Sequence, residues 1–419
     1  MCCRDRRCVG WLVSYPAFIC QAFSDMNGIP PPKTPLTYSS PTTTDCTLTI
    51  FTFTVPRKRG EMDTIELPPA ADFHAHLREG DMMRLVVPTI KNGGVSLVYV
   101  MPNLVPPITT VPQALSYHSG LASLEPSLTF LMTLYLCPAI TPAVIEHAAS
   151  TKKIVGVKSY PKGLTTNSEA GVVSYEEYYP VFAAMEKHDL VLNLHGESPS
   201  SETTTILNAE ETFLPTLLDL HARFPKLRIV LEHCTTAAAV EAVRKCGDSV
   251  AATITAHHLF LTIDQWADNP HCFCKPVAKL PSDRAALVEA ATSGDAKFFL
   301  GTDSAPHPRE MKIGAKNGRT AAGVFTQPYA VQLVAEAFDK VGKLDMLKGF
   351  VCDFGRRFYK VGEKGLERGF GAEAGILLRK GGDEVVVSQI GEKDKIVVPF
   401  NAGKGVWSLE WRGGSSEDH

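Results

Sequence analysis

His74, His76 and Arg78 are spaced two apart and close a short apolar run in Asp72-Phe73-His74-Ala75-His76-Leu77-Arg78. Residues two apart in a β-strand point to the same side. The spacing therefore predicts two imidazoles and a guanidinium projecting from one face at the C-terminal end of a strand. Two imidazoles aimed at one point can grip a divalent cation, with zinc a common occupant. An arginine beside them suits a carboxylate-bearing substrate, because the planar guanidinium matches a carboxylate bidentately. Alone, such a pair is as readily two ordinary polar residues with ordinary partners, so the elements around it must decide.

Those elements repeat. Strand-like apolar runs occupy 64–73, 95–101, 128–136, 154–160, 190–194, 227–231, 250–255 and 297–300, with helix-like stretches such as 141–150, 175–187, 235–245 and 282–292 between them. Strands alternating with helices imply parallel βα units, and eight of them predict a (β/α)8 TIM barrel. A doubly wound sheet is the alternative, but no Gly-rich dinucleotide fingerprint follows the first run. The runs end in chemistry: Asn103 after the second, Lys158 in the fourth, His195-Gly196-Glu197 after the fifth, Glu232-His233 after the sixth, His257-His258 after the seventh and Asp303 after the eighth. In a barrel these ends share one face, where active sites are built. Each residue alone is more readily a satisfied polar group than a ligand, but that reading must hold independently at five or six strand ends. His257 and His258 are expected to pack or to orient other groups. Cys272-Phe273-Cys274 lacks the spacing of a zinc knuckle and is expected to pack.

The flanks differ from this body. Residues 1–61 combine Arg4, Arg6 and Arg7 with an apolar run over 8–23 and a Pro/Thr/Ser-rich tract over 30–44. They are readable as a targeting segment, a disordered extension or upstream sequence wrongly joined, with Met62 as the expected functional start. The catalytic barrel is expected over 62–365. Residues 366–419 are expected to form a small β appendage from the runs 375–379, 384–389, 395–399 and 405–411. The 419-residue chain is 44% hydrophobic and 21% charged with a formal net charge of -3, which gives no field to attract nucleic acid or anionic membrane. No apolar run is long enough to span a bilayer. The six cysteines of the body are expected as free thiols in a reducing compartment, the cytoplasm.

His74, His76, His195, His233 and Asp303 supply enough nitrogen and carboxylate donors for two metals, and two close cations need a bridging anion. The fourth run offers Lys158 instead of a carboxylate. A lysine with its pKa lowered by neighbouring cations can capture carbon dioxide as an anionic, bidentate carbamate.

In that order, these residues resemble the binuclear amidohydrolase superfamily. The motifs around them resemble the dihydroorotases, closest to the monofunctional Gram-negative and fungal type. Those motifs are 72–82, Met101-Pro102-Asn103, Val157-Lys158-Ser159-Tyr160-Pro161, Thr165-Thr166-Asn167-Ser168, Leu194-His195-Gly196-Glu197, Leu231-Glu232-His233-Cys234-Thr235 and Gly301-Thr302-Asp303-Ser304-Ala305-Pro306-His307. The resemblance covers about residues 64 to 411. It implies two zinc ions, one on His74, His76 and Asp303 and one on His195 and His233, bridged by carboxylated Lys158 formed from carbon dioxide or bicarbonate. It implies that Arg78, Asn103 and His307 hold the substrate carboxylate, with backbone contacts near Lys275 and Ala322. Thr165 and Thr166 would close as a lid over the substrate, and Asp303 would move the proton. The implied reaction interconverts N-carbamoyl-L-aspartate and L-dihydroorotate in pyrimidine biosynthesis, in a homodimer. A hydantoinase- or allantoinase-like amidase shares the metals but lacks the carboxylate clamp. A catalytically dead scaffold would lose ligands, and none is missing here.

Overall fold

The computed structural model describes residues 64–314, 318–367 and 374–413. The expectations for residues 1–61 and for Met62 lie outside the described residues.

Eight parallel strands follow one another around a single sheet: β2 (Ala70–Ala75), β3 (Val95–Val100), β4 (Thr129–Tyr135), β5 (Ile154–Ser159), β6 (Val191–His195), β7 (Ile229–Glu232), β8 (Val250–Ile254) and β9 (Phe298–Leu300), preceded by a short β1 (Thr64–Leu67). These strands are apolar almost throughout because helices cover one side and the barrel interior the other. The helices begin where the sequence can satisfy their free N–H groups. Thr110 caps Val111–Leu124 in a capping box with Gln113, and Thr141 and Thr236 cap Pro142–Ser150 and Ala237–Lys245. Each turns an apolar stripe inward, as Val181, Phe182 and Met185 do on Tyr179–Lys187. The chain is a (β/α)8 barrel.

The run 64–73 does not form one strand. Pro68 and Pro69 lack the N–H groups a continuous ladder needs. β1 instead pairs antiparallel with β10 (Gly375–Arg379), which pairs with β11 (Ser408–Arg412). The C-terminal segment thus forms a separate three-stranded sheet that borrows one strand from before the barrel. Of the four runs expected there, the first and last are strands. The middle two make only isolated bridges, Val385 with Gly405 and Ile390 with Val397.

The amino-terminal end of the barrel is stoppered by the segment around Phe358 and Tyr359. Tyr359 stacks on Phe73 at 4.7 Å, and Phe299 meets Phe73 edge-on at 5.4 Å. Arg228, just before β7, donates to the Phe358 carbonyl and to Asp189. Closing this end leaves the opposite one to the strand-end residues.

Candidate metal centre and substrate pocket

The pocket opens at the seam where the barrel closes. Beyond β9 the chain runs alongside the end of β2: the Asp303 N–H donates to the His74 carbonyl (2.8 Å) and the His76 N–H to the Ser304 carbonyl (3.0 Å). Gly301 permits this approach, since a Cβ there would lie 2.7 Å from Thr253 Cβ and 3.0 Å from His74 Cβ. Asp303 then turns into the left-handed region at φ 46°, a conformation that costs energy for a non-glycine residue and recurs at functional sites. Its Oδ1 comes to rest 3.0 Å from His76 Nε2 and 3.4 Å from His74 Nε2. All three residues are buried, and their ligating atoms form a cluster that could hold a metal ion.

Other carboxylates set which nitrogen faces the pocket. His74 Nδ1 donates to Glu232 Oε2 at 2.8 Å, which also accepts from the Thr253 hydroxyl, while Glu232 Oε1 accepts from Asn193 Nδ2. This fixes the His74 tautomer and leaves Nε2 with a free lone pair. His195 does the converse: its Nε2 donates to Glu197 at 2.8 Å, so Nδ1 is the acceptor. His233 sits at φ 41° with its ring 4.6 Å from that of His195 and 5.1 Å from that of His74. Burial, and after it the charge of Lys158, holds His74 and His233 well below the usual histidine range. Burial likewise lowers His76 and His195, partly offset by their partners Asp303 and Glu197. Neutral imidazoles are the ligating form. Burial pushes Asp303 up, but the His76 hydrogen bond and the nearby His74, His76 and Lys158 outweigh it and hold the carboxyl at about 2.

The fit to a cation shows in what lacks a partner. Buried polar atoms are nearly always hydrogen-bonded, yet His74 Nε2, His233 Nδ1 and Lys158 Nζ are buried without one. Lys158, next to last in β5, has no exposure, its Nζ 5.1 Å from the centre of the Tyr160 ring. Its pKa is lowered by burial, against the pull of Glu232 and Asp303. The sequence argument named neighbouring cations, the metals, as the cause; burial is a further cause that acts before any metal binds.

The substrate-side residues lie on loops. β2 ends at Ala75, so Arg78 does not continue a strand face. It reaches the pocket through a left-handed backbone, φ 61°, fixed by the Tyr117 hydroxyl donating to its carbonyl at 2.6 Å. Its Nε donates to the Pro306 carbonyl, and one terminal nitrogen lies 3.2 Å from His307 Nε2. His307 Nε2 is 2.9 Å from the Ala322 carbonyl, so this nitrogen carries the proton. Asn103 accepts from His76 Nδ1 at 2.8 Å through Oδ1 and donates through Nδ2 to the Thr166 carbonyl. The loop bearing Thr165 and Thr166 is fastened by Asn167 to the Asn103 carbonyl and by Lys275 Nζ to the Leu164 carbonyl. The Lys275 side chain therefore has a partner of its own, beyond the backbone contact the resemblance implies.

One pocket is lined by His74, His76, Arg78, Asn103, Thr165, Thr166, His195, His233, Lys275, Asp303 and Ala322. Lys158 lies beneath it, and His307 contacts it through Arg78. Sequence reasoning named Glu197, Glu232 and Tyr160 only as strand-end or motif residues, gave them no role, and passed over Asn193, Thr253 and Tyr117. A signal existed for some of them: Asn193, His195 and Glu197 keep the period of two through β6. Glu232 and Thr253 stand as polar residues in otherwise apolar strands. Tyr117 gives no such signal, because only the fold sets its helix behind Arg78. His257 and His258 are not in the pocket lining.

A family model described as Amidohydrolase matches residues 128–258. A probable dihydroorotase from Schizosaccharomyces pombe is 55% identical over 349 residues, covering 83% of this chain and 99% of the relative. The dihydroorotase of Saccharomyces cerevisiae is 48% identical over 364 residues, 83% of this chain and 98% of the relative. The crystal structure of dihydroorotase from Saccharomyces cerevisiae in complex with 5-fluoroorotic acid superposes with a TM-score of 0.78 at 46% identity, covering 83% of this chain and 98% of that one.

Proposed function

The chain belongs to the dihydroorotase family, and from that premise we propose that it interconverts N-carbamoyl-L-aspartate and L-dihydroorotate in de novo pyrimidine synthesis, a hydrolase acting on a cyclic amide. The observation that carries the reading is the sharing of one pocket by His74, His76 and Asp303 with Arg78 and Asn103. The first set suits a cation and the second an anion. Two divalent cations, zinc in this reading, would be held by His74, His76 and Asp303 and by His195 and His233, with carboxylated Lys158 between them, and would polarise the amide carbonyl and acidify water.

The chain's own residues do the rest. Arg78 has five donors and gives its Nε–H to the Pro306 carbonyl, leaving its terminal nitrogens, one of them beside His307, for a bidentate grip on the substrate carboxylate. Asn103 would add a hydrogen bond to the same group through its second Nδ2 proton, and neutral His307 would do so by turning its Nε2–H from the Ala322 carbonyl. Asp303, ionised at neutral pH, takes a proton from the attacking water and passes it to the leaving ring nitrogen. In ring closure it takes one from the carbamoyl nitrogen. Burial keeps part of Lys158 as the uncharged amine that carbon dioxide requires. The segment with Thr165 and Thr166 acts as a lid that excludes water, supported by its ties to Asn103 and Lys275.

In the same reading, residues 62–365 carry the catalytic barrel and 366–419 an appendage, with Thr64–Leu67 joining the appendage's sheet. The six described cysteines are unpaired, which supports a reducing, cytoplasmic setting. No described helix is long and apolar enough to cross a membrane. The resemblance supports a homodimer, which sedimentation would check.

The test is turnover of L-dihydroorotate by protein purified with zinc and bicarbonate, beside hydantoin and allantoin. Selective opening of dihydroorotate is the expected result. Activity only on the uncharged rings would overturn the carboxylate clamp, and no activity with metal bound would overturn the assignment.

A further inference from the structure

Behind the substrate wall lies a second group of metal-ligating side chains. His257 and His258 follow β8, and Cys274 approaches them from the segment leading to Lys275. Ligating atoms from all three lie within 4.8 Å of one another, and all three residues are buried. Sequence reasoning expected the two histidines to pack or orient others and Cys274 to pack. Three observations set the cluster apart from ordinary packing.

His257 is wholly buried, and neither ring nitrogen has a partner. A desolvated imidazole left unpaired is costly, and a cation is the simplest group to satisfy it. Cys274 Sγ lies 3.6 Å from His258 Nε2. Bonds of ~2.3 Å to sulfur and ~2.05 Å to nitrogen at a tetrahedral angle put the two donors ~3.5 Å apart. His258 is already aimed: Thr255 Oγ1 accepts from the His258 backbone N–H and lies 2.9 Å from Nδ1, while Nε2 faces both Cys274 and the Pro276 carbonyl, 3.2 Å away, which also accepts from the Cys274 thiol at 3.1 Å and would give a cation there an oxygen donor. Such support behind a ligand histidine is the usual companion of a metal site.

We propose that His257, His258 and Cys274 form a second metal site, distinct from the catalytic pair, that takes zinc or a similar borderline-soft cation. Two imidazoles and a thiolate select against magnesium and calcium, which prefer oxygen donors. Binding releases the Cys274 thiol proton to solvent and forms a sulfur–metal bond. Burial pushes the Cys274 thiol up, with the positive charge of Lys312, anchored on the carbonyls of Phe273, Ala321 and Gly323, only partly opposing it, so the thiolate forms only with the bound cation. The site would fasten the loop after β8 to the segment carrying Lys275, which lines the catalytic pocket and holds the lid.

The donors allow a test independent of turnover. The catalytic residues offer only nitrogen and oxygen, so sulfur-to-cobalt charge-transfer absorption reports a thiolate site alone. Titration of the full chain with cobalt should develop that band, saturating at one equivalent per chain. Cys274→Ser should lose the band and one equivalent of tightly held cobalt while turnover persists, and His257→Gln should weaken binding at the same site. No thiolate band in the wild type, or an undiminished band in Cys274→Ser, would overturn the proposal. Circular dichroism identifies a misfolded variant, and absence of the band in the wild type overturns the proposal without one.

Discussion

His195 and His233 issue from or directly follow strands hydrogen-bonded to neighbours on both sides, and His74 lies on a strand paired with β3 and tied on its other side to the segment beyond β9, whereas Arg78, Thr165, Thr166 and His307 sit on loops that hold one another. On the metal side, most orienting contacts are made by buried groups in or just beyond the barrel strands, Glu232 on His74, Glu197 on His195 and Thr253 on Glu232, while Asn103 on His76 links the two sides. On the substrate side the contacts run from loop to loop: Tyr117 to Arg78, Asn167 to Asn103, Lys275 to Leu164. A frame in the barrel wall keeps ligands at fixed spacing with few ways to relax. A frame of loops can open and close, at the cost of tolerating small displacements. Damage to the metal side should therefore abolish chemistry, and damage to the loop side should mainly weaken substrate binding.

The strongest test of that division is Asp303→Asn. Loss of the proton carrier should lower turnover by about 10²–10⁴ or more, and a wild-type rate would remove the proton role. Next is Glu232→Gln, which never touches substrate but frees the His74 ring. Metal retention after dialysis should fall about 10–100-fold, and unchanged retention would show that the backbone alone orients His74. On the loop side, Arg78→Lys should raise KM by about tenfold with kcat nearly kept, because an ammonium cannot reproduce the guanidinium fork. A fall in kcat with unchanged KM would erase the contrast. Asn167→Ala removes one lid hydrogen bond worth about 1 kcal/mol and should raise KM only a few-fold.

The smallest effect lies at the closed end of the barrel. Burial pushes the Asp189 carboxyl up, but Lys364, Arg228 and Lys360 outweigh it and hold it at about 2. A depressed carboxylate stabilises the fold above its unfolded value near 4 and loses that contribution as pH falls from about 4 towards 2. Asp189→Asn should flatten the acid limb of thermal stability over that range and leave KM and kcat at neutral pH unchanged.

The barrel was legible because eight apolar runs at regular spacing admit few architectures. The metal side was legible because a donor at a strand's end can only face the rim. The first run was misread: 64–73 looks continuous in hydropathy, but Pro68 and Pro69 divide it between two sheets. Arg78 lines the pocket, but not by the route the sequence argument gave, since the strand stops at Ala75 and a left-handed turn delivers the guanidinium.

Residue type and order determined by themselves the donors, the strands that carry them and the family they resemble, because ligand chemistry and hydrophobic periodicity are local properties. Only the tertiary structure decided which imidazole nitrogen faces the pocket, that burial lowers Lys158, and that Cys274 lies beside His257 and His258. Each of these depends on groups far apart in the chain and on the exclusion of water, which exist only once the barrel has closed.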